Sequence, residues 1–167
     1  MLINISDTVN DSIVDGPGLR FTIFVQGCPH GCKGCHNPQT HDFEDGRKVT
    51  PESLLEQIKA NPLLDGVTFS GGEPFCQAQA LAELGEEIKK LGLDIITYTG
   101  YTFEYLYLHR EENGIGALLS VTDVLIDGRF IETLRSLELR FRGSANQRII
   151  DVPKSLAAGK AVETQFE

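Results

Sequence analysis

The segment LRFTIFVQGCPHGCKGC, Leu19–Cys35, decides how this chain is read. Its first part, Leu19–Gly27, is dense in β-branched and aromatic side chains and stops at glycine, which predicts a strand. Cys28, Cys32 and Cys35 follow with the spacing C-x3-C-x2-C. Those positions would share one face of a helix. Pro29, Gly31, Gly34 and Pro38 argue against a helix there, so the reading is a loop whose sulfurs turn toward one centre.

Outward from this loop, strands and helices alternate. Thr50–Asn61 opens with Thr50 as N-cap and Pro51 in the first helical position, with Leu54, Leu55 and Ile58 on one face. Gly66–Pro74 reads as a second strand running into glycines, and Ala78–Gly92 as a helix with Leu81, Leu84, Ile88 and Leu91 at helical steps. Asp94–Gly100 is a third strand, Thr102–Glu112 starts a helix, and Asp123–Phe130 and Arg148–Pro153 are strands four and five. Pro153–Val162 makes a short final helix at best. The strand spacings fit βαβ units. The expected fold is therefore α/β, an open sheet or partial (βα) barrel of mostly parallel strands, with its active site at the strand C-terminal ends. The cysteine loop, Gly71-Gly72-Glu73, Thr99-Gly100 and Asp127-Gly128 all fall at those ends.

At 167 residues, with 41% hydrophobic residues, the chain is expected to form one domain, 1–167. No apolar run is long enough to span a membrane. The N-terminal stretch carries acidic residues and no apolar signal core, so a cytoplasmic protein with reduced cysteines is expected. The net charge of −9 argues against nucleic-acid backbone binding.

Reduced, clustered thiols serve metals or catalysis. Zinc is one reading, since His30, His36 and His41 lie close by and Cys3His is an ordinary zinc set. The other is an iron–sulfur cluster held by three thiolates instead of the usual four, leaving one iron open. Cys76 could complete either set; a small buried hydrophobe is its commoner role.

The ordered segments resemble the radical S-adenosylmethionine superfamily: C-x3-C-x2-C after the first strand and GGE after the second. Val14–Cys28 (VDGPGLRFTIFVQGC) is similar to the opening of glycyl-radical-enzyme activases. With Ser70–Pro74, Val124–Glu132 and Phe141–Ile150 (FRGSANQRII), the set resembles the activating proteins of anaerobic (class III) ribonucleoside-triphosphate reductases. The likeness runs from about Val14 to Pro153. Many superfamily members carry an aromatic residue just before the third cysteine; this chain has Gly34.

The resemblance implies that Cys28, Cys32 and Cys35 are the metal ligands and catalytic residues, holding a [4Fe-4S] cluster whose free iron binds the amino and carboxylate groups of S-adenosylmethionine. Reduction would break the sulfonium bond to the 5′ carbon, and the resulting radical would take a hydrogen from a glycine of the reductase. Gly71, Gly72 and Glu73 would run beside the methionine amino group, Thr97, Thr99 and Asp127 would bind ribose or methionine, and Gly34 and His36 would line the adenine side. Arg142, Asn146, Gln147 and Arg148 would contact the partner, the glycyl-radical subunit of the reductase. A low-potential electron donor such as flavodoxin is implied, and neither nucleic acid nor membrane is an expected partner. The alternatives are activation of another glycyl radical enzyme, a radical reaction on a small molecule, and a non-catalytic zinc or iron–sulfur protein for regulation or electron transfer.

Overall fold

In the computed structural model, residues 1–166 are described; Glu167, the last residue of the expected domain, lies outside them. Strand β1 (Ile3–Ser12) leads into β2 (Arg20–Val25), and the cysteine loop follows. A short edge strand β3 (Arg47–Val49) precedes helix α1 (Pro51–Lys59), strand β4 (Gly66–Gly71), helix α2 (Ala78–Lys90) and strand β5 (Asp94–Tyr98). Helices α3 (Phe103–Leu108) and α4 (Ile115–Val121) lead to β6 (Val124–Asp127), then β7 (Arg148–Asp151) and α5 (Val152–Ala158).

These elements form a seven-stranded mixed sheet in the order β3-β1-β2-β4-β5-β6-β7. Its centre, β2-β4-β5-β6, is parallel, and each strand reaches the next through at least one helix. β7, expected among mostly parallel strands, runs antiparallel to β6, as a connection without an α-helix permits. β1 and β3 add an antiparallel edge that the sequence reading did not contain. Only Ile3 and Ile5 of β1 are buried apolar residues; its second half is polar and twice shifts register against β2, so composition gave little strand signal. A fourth helix, α4, was also unexpected.

Strand alternation gives the central sheet two unlike faces. Phe21, Ile23, Val25, Val67, Phe69, Ile95 and Leu125 join the apolar core with Leu81, Leu84 and Ile88 of α2. Gly85 lets α2 approach α4, because a Cβ there would sit 2.6 Å from Val121. The other face carries Arg20, Thr22, Thr68, Ser70, Ile96, Tyr98 and Ile126. Buried Arg20 fixes the start of β2, donating to Thr68 Oγ1 at 2.8 Å, Val67 O at 2.9 Å and Pro17 O at 3.2 Å and pairing with Asp94. Thr68 Oγ1 donates to Asp15 O at 2.9 Å, so the Val14–Gly18 segment is drawn across this polar face. Among the described residues, no helix is long and apolar enough to cross a membrane.

Candidate functional site

The polar face opens, at the C-terminal ends of the parallel strands, into a cavity of about 360 Å³. Cys28, Cys32 and Cys35 line one part of it. The cysteine loop is pinned at its root by backbone bonds from Gly27 N to Thr40 O (2.7 Å), Cys28 N to His41 O (3.2 Å) and Glu73 N to Gly27 O (2.8 Å). Gly31 and Gly34 take left-handed φ of 59° and 75°, which turns the chain between sulfurs. All three thiols are free and half-buried. Burial raises the Cys28 pKa above its ordinary value, and charge on Glu73, Cys32 and Cys35 adds to the rise. The Asn37 backbone amide donates to Cys35 Sγ at 3.4 Å.

The donor set fits a bound group larger than one ion. Among the described residues, no three His, Cys, Asp or Glu side chains are arranged to hold a single metal ion, as tetrahedral zinc requires. Three soft thiolate donors around one cavity suit an iron–sulfur cluster, with one corner left to a non-protein ligand. Cys76, read as a buried hydrophobe or a fourth ligand, is instead exposed and lines a different cavity, beside Gln77 and Asn113. Its thiol is pushed up to about 11, first by burial and then by charge on Glu73 and Cys28.

Across the same cavity stand Gly71, Gly72, Thr99 and Gly100. Gly71 has φ of 100°, and a Cβ there would meet backbone atoms of Val25 at 2.5 Å. At Gly72 a Cβ would lie 2.3 Å from Gly27 O. Only glycine permits this approach between the second strand end and the cysteine loop. Glu73, by contrast, turns behind the wall and is fully buried. Its carboxylate accepts from His30 Nε2 (2.6 Å), Gly100 N (2.8 Å), Phe75 N (3.0 Å) and Thr99 Oγ1 (2.9 Å to each oxygen).

Residues 14–150 match the protein family described as a 4Fe-4S single cluster domain. The anaerobic ribonucleoside-triphosphate reductase-activating protein of Vibrio cholerae is 38% identical over 145 residues, covering 82% of this chain and 90% of that protein. The protein of the same name from Escherichia coli is 34% identical, covering 81% of this chain and 90% of its own length. This chain belongs to the anaerobic ribonucleoside-triphosphate reductase-activating protein family. The pyruvate formate-lyase 1-activating enzyme of Escherichia coli is also 34% identical, but this chain spans only 58% of it. In fold, the chain is similar to the crystal structure of QueE from Escherichia coli, with a TM-score of 0.51 at 21% identity over 61% of this chain and 54% of QueE.

Within this family member, strand alternation separates the expected site residues. Thr99 and His36 line the cavity. Thr97 does not: it is fully buried on the helical face, its hydroxyl 2.9 Å from that of Thr122. Asp127 also turns to that face, accepting from Phe103 N at 2.8 Å and from the Arg148 guanidinium. An odd–even shift explains both, because Tyr98 and Ile126, their neighbours, point the other way. Gly34 faces Glu132, whose side chain would lie 3.0 Å from a Cβ there. Beside it, His36 packs on Phe130 with ring centroids 5.1 Å apart, so the loop after β6 brings an aromatic ring to the cysteine loop.

That loop, residues 128–147, closes on itself. Gln147 Oε1 accepts from Gly143 N (2.8 Å) and Ser144 N (3.1 Å), and its Nε2 donates to Gly128 O (3.0 Å). Asn146 Nδ2 donates to Arg129 O at 2.8 Å, and Ser144 Oγ to Asn146 Oδ1 at 2.6 Å. Asn146, Gln147 and Arg148, expected to meet a partner, thus spend these groups on the loop and on Asp127. Arg142 differs: it lines the cavity, donates to Gln147 O at 3.0 Å, and leaves a buried Nε without a hydrogen-bond partner. Phe141 before it holds a left-handed φ of 62°, and its carbonyl accepts from Tyr98 Oη at 2.7 Å. Asp15 and His30 also line the cavity, as does Tyr98, which was not expected there. The period-two pattern of Asp94–Tyr98 carried the signal for Tyr98, and the place of His30 between two cysteines carried it for that residue.

Proposed function

We propose that this protein is a glycyl-radical activating enzyme that generates the glycyl radical of anaerobic ribonucleoside-triphosphate reductase. In this reading Cys28, Cys32 and Cys35 hold a [4Fe-4S] cluster that, when bound and reduced, supplies the electron that splits S-adenosylmethionine into methionine and the 5′-deoxyadenosyl radical responsible for taking the glycine hydrogen. The observation that supports it best is a cavity with three free thiols on one wall and close-set glycines on another.

The residues divide the remaining work. Gly71 and Gly72 offer backbone to the methionine end, with Thr99 and Glu73 supporting that wall. His36, with Gly34 beside it, borders the adenine side. Arg142 faces the partner's glycine-bearing segment, and the loop containing Asn146, Gln147 and Arg148 supplies the wall that presents it. The apolar and aromatic lining from Phe130, Leu139 and Phe141 helps exclude water from a reactive intermediate. The sheet is inferred to curve as a partial barrel within one cytoplasmic domain, served by a low-potential donor such as flavodoxin.

The test is anaerobic reconstitution with iron and sulfide, followed by S-adenosylmethionine, reductant and the candidate reductase. A glycyl signal in electron paramagnetic resonance, absent when any one of the three cysteines is alanine, is the expected result. Zinc as the sole metal, or cofactor cleavage without a glycyl signal, would refute it. The likeness to the pyruvate formate-lyase 1-activating enzyme favours a second target, another glycyl radical enzyme, which the same assay examines by exchanging the partner.

A further inference from the structure

Glu73 is a carboxylate with no exposed surface. Burying such a group is costly unless donors surround it. Two of its donors are backbone amides, Gly100 N and Phe75 N, and a third is the single hydroxyl proton of Thr99, shared between both oxygens. The fourth is His30 Nε2, at 2.6 Å. His30 is the donor that comes from the cysteine loop. Apart from it, the Gly71–Glu73 segment is tied to that loop by the backbone bond from Glu73 N to Gly27 O.

The imidazole has a built socket. Its side chain is 3% exposed. Tyr101 meets it edge-on, with ring centroids 4.6 Å apart at 75°. Gly100 leaves the ring its space, since a Cβ there would lie 2.4 Å from His30 Cδ2. The ring can therefore neither swing into solvent nor be replaced by water without opening this packing.

We propose that His30 is a positioning residue for the cofactor-binding wall, acting through the Glu73 carboxylate. This deepens the reading above and rests on it. The His30–Glu73 bond couples the thiol-bearing loop to the strand ends that carry Gly71-Gly72 and Thr99-Gly100. The Glu73 carboxylate is occupied by this bond, so the methionine ammonium is met by backbone carbonyls of the glycine segment.

Three variants test this in the full chain: His30→Ala, His30→Gln, whose amide nitrogen reaches where Nε2 stands, and His30→Asn, whose amide is too short to reach Glu73. In the reconstituted protein, His30→Ala and His30→Asn are expected to keep wild-type iron and sulfide content but to weaken S-adenosylmethionine binding about tenfold or more, with His30→Gln recovering most of it. The perturbation of the reduced-cluster resonance by S-adenosylmethionine should fade in step. Before reconstitution, hydrogen exchange at the Gly100 and Phe75 amides should quicken in the alanine and asparagine variants alone. Wild-type affinity in all variants overturns the proposal. Weakened affinity with unchanged exchange also overturns it, since His30 would then touch the ligand directly. If His30→Ala does not fold, the asparagine–glutamine comparison decides alone. A wild-type protein that binds no S-adenosylmethionine refutes the proposed function, and the exchange measurement still judges His30.

Discussion

Arg148 grips both oxygens of Asp127 across the antiparallel β6–β7 pair, Nε to Oδ1 at 3.0 Å and Nη2 to Oδ2 at 2.6 Å. Asp127 is 1% exposed, and this guanidinium, with the Phe103 amide, offsets the burial of its charge. Arg148→Ala should lower stability by about 2–3 kcal/mol, somewhat less than for a fully buried pair because the arginine is partly exposed. Arg148→Lys should recover only part, lacking the two-pronged geometry. Urea denaturation of the three proteins checks this; equal midpoints would show that the pair contributes nothing.

The same arginine acts on Glu104. Its hydrogen bond holds the Glu104 carboxyl below the ordinary value of 4.5. A lowered carboxylate pKa contributes stability above the unfolded value and loses it as pH falls through the folded one. Wild type should therefore exceed Glu104→Gln in stability near neutrality, and the gap should close as the pH drops past 4.5. The gap is small, because Glu104 is largely exposed. Melting curves across an acid series give the measurement.

Thr97 and Thr99 make opposite predictions although one residue apart. Thr97→Val removes a buried hydroxyl contact with Thr122 and should cost about 1 kcal/mol of stability while leaving S-adenosylmethionine affinity intact. Thr99→Val strips both Glu73 oxygens of a donor and should reduce that affinity at least about tenfold. Titration calorimetry on the reconstituted variants separates them.

Gly72→Ala would push a Cβ to 2.3 Å from Gly27 O and 2.8 Å from Gly27 C, both backbone atoms that cannot swing aside. A loss of about 3 kcal/mol is expected, together with loss of cofactor binding. Unchanged stability would mean that the two loops can part without consequence.

Cys76 should be a sluggish thiol. With its pKa raised to about 11, little thiolate exists near neutrality. Alkylation should be far slower than for an unstructured cysteine and should accelerate in Glu73→Gln, which removes a neighbouring negative charge. Labelling followed by mass spectrometry reads both rates.

The parallel centre of the sheet was legible because Phe21, Ile23, Val25, Val67, Phe69 and Ile95 are apolar residues on strands bounded by glycine and helix signals. Strand β1, between β2 and the short edge strand β3, was not, because only Ile3 and Ile5 are buried apolar residues and its polar second half, beyond the pairing with β3, reads as loop. In the site, spacing identified the three cysteines, and glycines marked Gly71 and Gly72. Thr97 and Asp127 misled because closeness to a strand end does not put a side chain on the cavity side; the period-two alternation turns both to the helical face. The His30–Glu73 bond was hidden for another reason: the two residues are 43 positions apart, and no local pattern links them.

Gln147 stitches the 128–147 loop to itself before anything arrives. A wall already rigid gives up little conformational freedom when a second macromolecule settles against it. More of the contact energy is then left for affinity, and a surface set in advance needs no rearrangement on encounter.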